Sequence, residues 1–81
     1  MVPRISQVKA CEDYVLHVTF DNGVKKLYDL KPRLNDERFK ILRDKGIFKA
    51  VQVDGGGFGI SWNDDIDLSE NEIWTEGKNL N

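Results

Sequence analysis

The sequence offers one cysteine and one histidine as candidates for covalent or acid–base chemistry. A nucleophilic thiol needs a base within hydrogen-bond reach, and histidine is the usual base near neutral pH. Cys11 and His17 fall on different predicted strands, so a catalytic pair would require contact across a strand ladder. A lone thiol and a lone imidazole are common in any domain. We therefore expect no catalytic residue, and a protein that is not an enzyme.

Carboxylates gather near the C-terminal end and are the candidates for metal binding. The segment 65–76 superficially resembles a calcium loop, but Glu70 stands at the position where the sharp bend requires glycine. Asp64, Asp65 and Asp67 could bind a divalent ion more loosely, and a solvated acidic turn explains them equally well. We expect no metal ion at this turn and no bound cofactor.

A glycine-rich segment, Asp54-Gly55-Gly56-Gly57-Phe58-Gly59, is a second possible ligand site. Phosphate-binding loops deliver the phosphate to a helix N-terminus and usually add Lys or Ser/Thr. Here a predicted strand follows, and neither helper residue is present. The composition predicts a flexible hairpin turn, which is able to act as a contact site.

Strand periodicity is clearest in the first half of the chain. Residues 14–20 read Tyr-Val-Leu-His-Val-Thr-Phe, an alternation that makes one face apolar. Asp21-Asn22-Gly23 then predicts a tight reversal, because Asn and Gly tolerate a positive φ. The return strand covers 24–30, and a weaker alternation at 4–11 predicts an edge strand.

A helix is predicted over 35–45, where apolar residues recur three apart. Asn35 or Asp36 would cap its start, and Gly46 suits the left-handed position that ends a helix. Further on, Ser69 and Glu72 match a capping box, in which each side chain satisfies the other residue's backbone N–H. The remaining elements are a second hairpin from 47–53 and 58–62, a short helix from Glu70 to Glu76 ended by Gly77, and an end at 78–81 that frays.

These elements predict an α+β fold of the order βββ-α-ββ-α. Short turns join the strands, so the pairing is antiparallel, as a sheet of two hairpins. One main helix and a short C-terminal helix would pack on one side of it. The 81 residues suffice for a single small domain, 1–81.

The charge is near neutral in sum but divided along the chain. Twelve basic residues stand against 14 acidic ones, and residues 1–53 carry +4 whereas residues 54–81 carry -6. Such polarity favours partners of opposite charge at each end or head-to-tail self-association, unless folding interleaves the charges into an ordinary solvated surface. The sequence pI of about 5.3 argues against direct binding of nucleic acid.

The compartment follows from the cysteine count and the N-terminal segment. One cysteine cannot form an internal disulfide, on which small secreted domains usually depend. The first residues lack the apolar stretch of a signal peptide. No apolar run approaches the roughly 18–20 residues of a membrane span. We expect a cytoplasmic protein without membrane contact.

Aromatic side chains are the candidates for an interaction surface. Trp62, Trp74 and Phe58 are large for a chain with a limited interior. An exposed aromatic ring often marks an interface, and rings that cap the core are the equally good alternative.

Several motifs in sequence order point to a known family. They are VLHVTFDNG at 15–23, YDL at 28–30, IFKAV at 47–51, ISWN at 60–63 and IDLS at 66–69. In this order and spacing, from about residue 4 to residue 74, the chain resembles the bacterial domain-of-unknown-function family 2442. The resemblance implies a small α+β domain of the bacterial cytoplasm, with no established activity. It also implies that members occur alone or beside a second small protein, in an arrangement like a toxin–antitoxin pair.

We therefore expect a protein-interaction module that binds another small protein or forms a homodimer, as the antitoxin-like half of a two-component pair. The alternative is a small-ligand or metal-binding domain that uses the glycine-rich hairpin and the acidic turn. Direct nucleic-acid binding is the third hypothesis, which the acidic pI disfavours.

Overall fold

A computed structural model describes residues 2–80, and within this range the fold is α+β with antiparallel strand pairing, as predicted. The end residues of the predicted domain, Met1 and Asn81, lie outside the described part. The strands are β1 Ile5–Ala10, β2 Val15–Phe20, β3 Lys25–Asp29, β4 Gln52–Val53, β5 Gly59–Asn63, β6 Ile66–Ser69 and β7 Lys78–Asn79. The helices are α1 Lys45–Phe48 and α2 Glu70–Glu76. Neither is long and apolar enough to cross a membrane, and the rest of residues 2–80 holds no such helix.

The strands form two sheets, where a single sheet of two hairpins was predicted. The first sheet has the strand order β1-β2-β3-β7. Leu16, Val18 and Phe20 of β2 face the core, as the two-residue period predicts. The reversal after β2 is tight, because Gly23 has φ 89° and the Asn22 side chain accepts a hydrogen bond from the backbone N–H two residues on. The first hairpin and the edge position of β1 are both confirmed.

The second sheet, of order β4-β5-β6, holds the predicted second hairpin and one strand that was not predicted. The first strand of this hairpin, predicted over 47–53, is only Gln52–Val53, because Ile47 and Phe48 belong to α1.

The unpredicted strand, β6, includes Asp67 of the segment interpreted as an acidic turn, while Asp64 and Asp65 form the turn before it. Its residues Ile66 and Leu68 reach the core, while Asp67 between them is exposed. The chain reverses before β6 because the Asn63 side-chain oxygen accepts from the N–H groups of Asp65 and Ile66, at 2.8 and 3.0 Å.

One apolar core joins the two sheets and α2. Phe20 of the first sheet and Ile60 of the second are both fully buried in it. Ile73 is fully buried as well and anchors α2, which contacts β3 of the first sheet and both β5 and β6 of the second. The prediction that Ile73 faces the sheet is therefore confirmed.

The prediction of a helix over 35–45 is wrong. The 3-10 turn Lys31–Asn35 ends where this helix was predicted to begin, and a second 3-10 turn, Lys40–Arg43, lies inside the segment. The α-helical turn begins only at Lys45. Two residues with extended backbone, Asp36 and Asp44, interrupt the helical path. The order of elements is therefore βββ-α-βββ-α-β, and α2 is the longer of the two helices.

Capping explains where α1 starts. The Asp44 carboxylate accepts hydrogen bonds from the N–H groups of Gly46 and Ile47, at 2.8 and 3.2 Å, and so fixes the helix start at Lys45. Gly46 accordingly lies inside α1 and does not end a helix. The three-residue spacing of Phe39 and Leu42 suits a 3-10 turn as well as an α-helix, so the apolar pattern could not separate the two.

The C-terminal helix is confirmed, and residues 78–80 after it pair with β3. Ser69 Oγ accepts from Glu72 N–H at 3.1 Å, as the capping box predicts. The predicted fraying does not hold for Lys78–Asn79, which form β7 opposite Lys26 and Leu27 of β3. The pairing continues to Leu80, whose N–H donates to the Lys25 carbonyl oxygen at 2.9 Å.

The glycine-rich loop 54–59 packs against β1, where its composition predicted a flexible turn. Gly57 has a φ of 75°, and a Cβ built on it would overlap the Ile5 carbonyl oxygen and lie 3.0 Å from the Ile5 nitrogen. Asp54 closes the loop, because its N–H donates to Gly59 O and its carbonyl accepts from Gly57 N–H, both at 2.9 Å. Glycine alone combines this left-handed φ with so close an approach to another strand.

Gly57→Ala is expected to destabilise the fold strongly, whereas Gly55→Ala is expected to be nearly neutral. A left-handed φ costs a residue with a Cβ about 1–2 kcal/mol, and the overlap with β1 adds about 1–3 kcal/mol. Gly55 has open space around it and no left-handed φ. Urea unfolding of the two variants measures the difference, and equal losses of stability would show that the loop does not pack on β1.

Candidate functional site

Phe58 is a large aromatic side chain that the fold leaves in solvent, at 54% exposure. The Arg4 guanidinium covers one side of its ring, with Arg4 Cζ 3.8 Å from the ring centroid. Arg4 Nη1 also donates a hydrogen bond to Gly56 O, at 3.1 Å. We call these two side chains the Arg4–Phe58 patch. Phe58 is one of the three predicted interface residues, and Arg4 was not singled out from the sequence.

The loop 54–59 and the backbone just before β1 hold both side chains of the patch in place. A Cβ on Gly56, whose φ is 81°, would lie 2.8 Å from Phe58 Cε2, so the ring rests on this glycine. The Phe58 carbonyl accepts from Glu70 N–H at 3.0 Å, at the start of α2. On the other side, the Arg4 carbonyl accepts from Asp21 N–H at 2.8 Å. The patch is therefore formed before any partner arrives.

The chemistry of the patch is that of a protein-binding anchor. Aromatic residues and arginine are enriched in interface centres, and a side chain already fixed in place loses little conformational freedom on binding. Arg4 spends one N–H group on Gly56, and the guanidinium has further donors that a partner carboxylate can accept. The patch thus suits an apolar pocket with a carboxylate at its rim.

The two tryptophans seal the core. Trp62 is only 8% exposed, its Nε1–H donates to Phe48 O at 2.9 Å, and its ring packs edge-on against Phe39. Trp74 is half-buried and packs edge-on against Phe20, with ring centroids 5.0 Å apart. Of the three predicted interface residues, Phe58 is therefore the one that offers a partner most of its ring.

The residues considered for catalysis and metal binding do not converge. The strand register places His17 opposite Lys9, and Cys11 lies beyond the end of β1. Asp64, Asp65 and Asp67 are exposed. Within residues 2–80, no three His, Cys, Asp or Glu side chains come close enough together to hold a metal ion.

A polar cluster between β3 and α2 was not predicted. Tyr28 OH and Arg33 Nη2 both donate to Glu72 Oε2, at 3.1 and 2.7 Å, beside a cleft of about 460 Å³. Burial raises the pKa of Tyr28 above its ordinary value, against the opposing effect of Arg33. The hydrogen bond to Glu72 raises the pKa of Arg33. The cluster connects α2 to β3 and to the 3-10 turn that carries Arg33.

Sequence reasoning assigned Glu72 to the capping box, where its carboxylate would turn back to Ser69. The carboxylate instead bonds residues 44 and 39 positions away in the sequence, Tyr28 and Arg33. Local spacing carries no signal for contacts of that separation. The one hint was the position of Glu72 in the first turn of α2, a helix that was predicted to pack against the sheet.

One comparison with known proteins gives a match. A family described as "Protein of unknown function (DUF2442)" matches residues 5–79. The chain belongs to the DUF2442 family. No curated protein and no solved structure matches it. The motifs from 15–23 to 66–69 that suggested DUF2442 lie within the matched range, so the resemblance drawn from them is confirmed.

Membership in DUF2442 assigns no residue a role, because the family is described only as being of unknown function. The Arg4–Phe58 patch therefore rests on the geometry of this chain. Of its two side chains, Phe58 lies inside the matched range and Arg4 directly before it.

Tyr28 is expected to make the protein less stable at alkaline pH. Its pKa is higher in the folded chain than the ordinary 10.0, so the unfolded chain loses this proton first. The associated stability is complete below pH 10.0 and is lost as the pH rises through the folded-state pKa.

Tyr28→Phe removes that titration and also the hydrogen bond to Glu72, which is worth about 1 kcal/mol. Urea unfolding of both proteins from about pH 8 to 11 compares the two slopes of stability against pH. The variant should show the flatter slope. Parallel slopes would mean that Tyr28 is not the group responsible.

Proposed function

We propose that this DUF2442 chain is a protein-interaction module, without catalytic activity of its own, that uses the Arg4–Phe58 patch to bind its partner. The observation that carries the proposal is a phenylalanine 54% exposed yet fixed in orientation by a guanidinium 3.8 Å from its ring. Phe58 is the most exposed large hydrophobic residue in residues 2–80, and aromatic residues and arginine are enriched in interface centres. The partner is another small protein or a second copy of the chain.

A finer proposal concerns the biological setting. We propose that the partner is the second member of a two-component pair in the bacterial cytoplasm and that this chain neutralises it. The support is the family itself, since the resemblance to DUF2442 implies members beside a second small protein. Co-expression tests this setting: the adjacent gene product alone should slow growth, and the chain should restore it. If the adjacent gene product leaves growth unchanged, the neutralising role is excluded while the interaction proposal stands.

Phe58→Ala is expected to weaken the complex about thirtyfold, because truncating a central aromatic anchor costs about 2 kcal/mol. The complex is formed by mixing the purified chain with the product of the adjacent gene, and by concentrating the chain alone for the homodimer. Sedimentation velocity and calorimetry give the dissociation constants.

Ile41→Ala is the matched control. Ile41 is an exposed apolar residue like Phe58, at 49% exposure, but it lies on the 3-10 turn Lys40–Arg43. This variant should change the dissociation constant less than twofold, roughly the effect of an interface-neutral position. The proposal fails if neither complex forms, or if Phe58→Ala and Ile41→Ala bind equally well.

A further inference from the structure

A cleft of about 700 Å³ lies at the end of β1 opposite to Arg4. We call it the lysine cleft, since Lys9, Lys45 and Lys49 line it. Lys45 and Lys49 stand one helical turn apart across α1, and Lys9 comes from β1. Two aromatic residues, Tyr14 and Phe48, form the apolar part of the lining.

The lysines of this cleft form no ion pair within residues 2–80. Elsewhere, Lys31, Arg33, Arg38 and Lys40 form ion pairs, and Arg4 and Lys26 lie over aromatic rings. Three ammonium groups that form no ion pair are gathered around one cleft and outnumber the two carboxylates of its lining, Glu12 and Asp13. This excess of positive charge favours an anionic ligand.

One wall of the cleft is the turn at Asp13 and Tyr14, and its shape is fixed. Asp13 and Tyr14 both have left-handed backbone, with φ of 59° and 60°, which is uncommon for residues with a side chain. Contacts from three directions hold the turn: Lys31 Nζ donates to Asp13 O at 2.7 Å, Leu30 N–H donates to Tyr14 O at 3.0 Å, and the Tyr14 hydroxyl donates to Arg43 O. The Tyr14 ring also packs edge-on against Phe48, with centroids 5.1 Å apart. Strained backbone kept in place in this way is typical of binding sites.

The lining also favours one class of anionic ligand over another. Glu12 and Asp13 line the same cleft, and both are exposed, so the lining carries two carboxylates beside the three lysines. A phosphodiester chain carries a negative charge on every unit, so it would set some of these charges against the two carboxylates. A peptide can place its carboxylates at the lysines and an apolar side chain against Tyr14.

We propose that the lysine cleft binds an acidic peptide segment of a protein partner. The site is separate from the Arg4–Phe58 patch, at the other end of β1, and does not depend on it. One partner that presents both an apolar pocket and an acidic segment would engage the domain at two places.

The test uses a fluorescein-labelled, end-blocked peptide of sequence Glu-Glu-Leu-Glu-Glu, titrated with the full chain in fluorescence anisotropy. The peptide should bind, and its affinity should fall as salt rises. The double variant Lys45→Glu/Lys49→Glu should weaken binding about tenfold or more, because two attractions become repulsions. The control Lys40→Glu/Lys78→Glu makes the same change of net charge at exposed lysines outside the cleft, and should weaken binding about twofold at most.

The single thiol of the chain reports whether the peptide occupies this cleft. Cys11 is half-buried and lines it, so bound peptide should slow alkylation of Cys11 by iodoacetamide at least about threefold at saturation. The Lys45→Glu/Lys49→Glu variant should lose this protection.

Three results would overturn the proposal. The first is equal weakening by the two double variants, which would reduce the effect to net charge. The second is unprotected Cys11 at saturating peptide, which would place the peptide elsewhere. The third is an oligothymidylate that binds more tightly than the peptide through Lys45 and Lys49, which would make the cleft a phosphate site. Phe58→Ala should leave peptide binding unchanged, so failure here and failure of the proposed function remain distinguishable.

Discussion

The close approach of Gly57 to the backbone of Ile5 is the contact on which the rest of the structure depends. It brings the loop before β5, in the second sheet, onto the first strand of the first sheet. A side chain at this position would separate the two sheets, because the space is filled by the Ile5 carbonyl. The Arg4–Phe58 patch is a direct consequence, since its two residues come from opposite sides of this contact.

Polar contacts also join α2 to the first sheet. Glu72 accepts hydrogen bonds from Tyr28 and Arg33. Buried Lys26 donates to the Trp74 carbonyl at 2.7 Å, so two residues of β3 are bonded to α2. With so small a core, such partly buried bonds matter because each removed partner would leave a buried polar group unsatisfied. The scaffold between the two proposed binding surfaces is therefore held by packing and by hydrogen bonds together.

Local rules predicted the elements whose causes are local. The Asn22-Gly23 reversal and the Ser69 cap are both decided within a few residues, and both are confirmed. The helix over 35–45 failed because three-residue apolar spacing does not distinguish 3-10 from α-helical turns, and because Asp44 captured the cap. Glu72 and Arg4 were missed for a different reason: their partners lie 39 to 54 positions away, beyond any sequence period.

A nuclear Overhauser experiment on the wild-type chain examines the junction of the two sheets most directly. If the loop packs on β1 as described, the Phe58 ring protons will show cross-peaks to the Arg4 side chain, whose Cζ lies 3.8 Å from the ring centroid. The Arg4 side-chain protons should also shift upfield under the ring. A well-dispersed spectrum of folded protein that lacks these cross-peaks would contradict the account, because the two sheets would then meet in some other way.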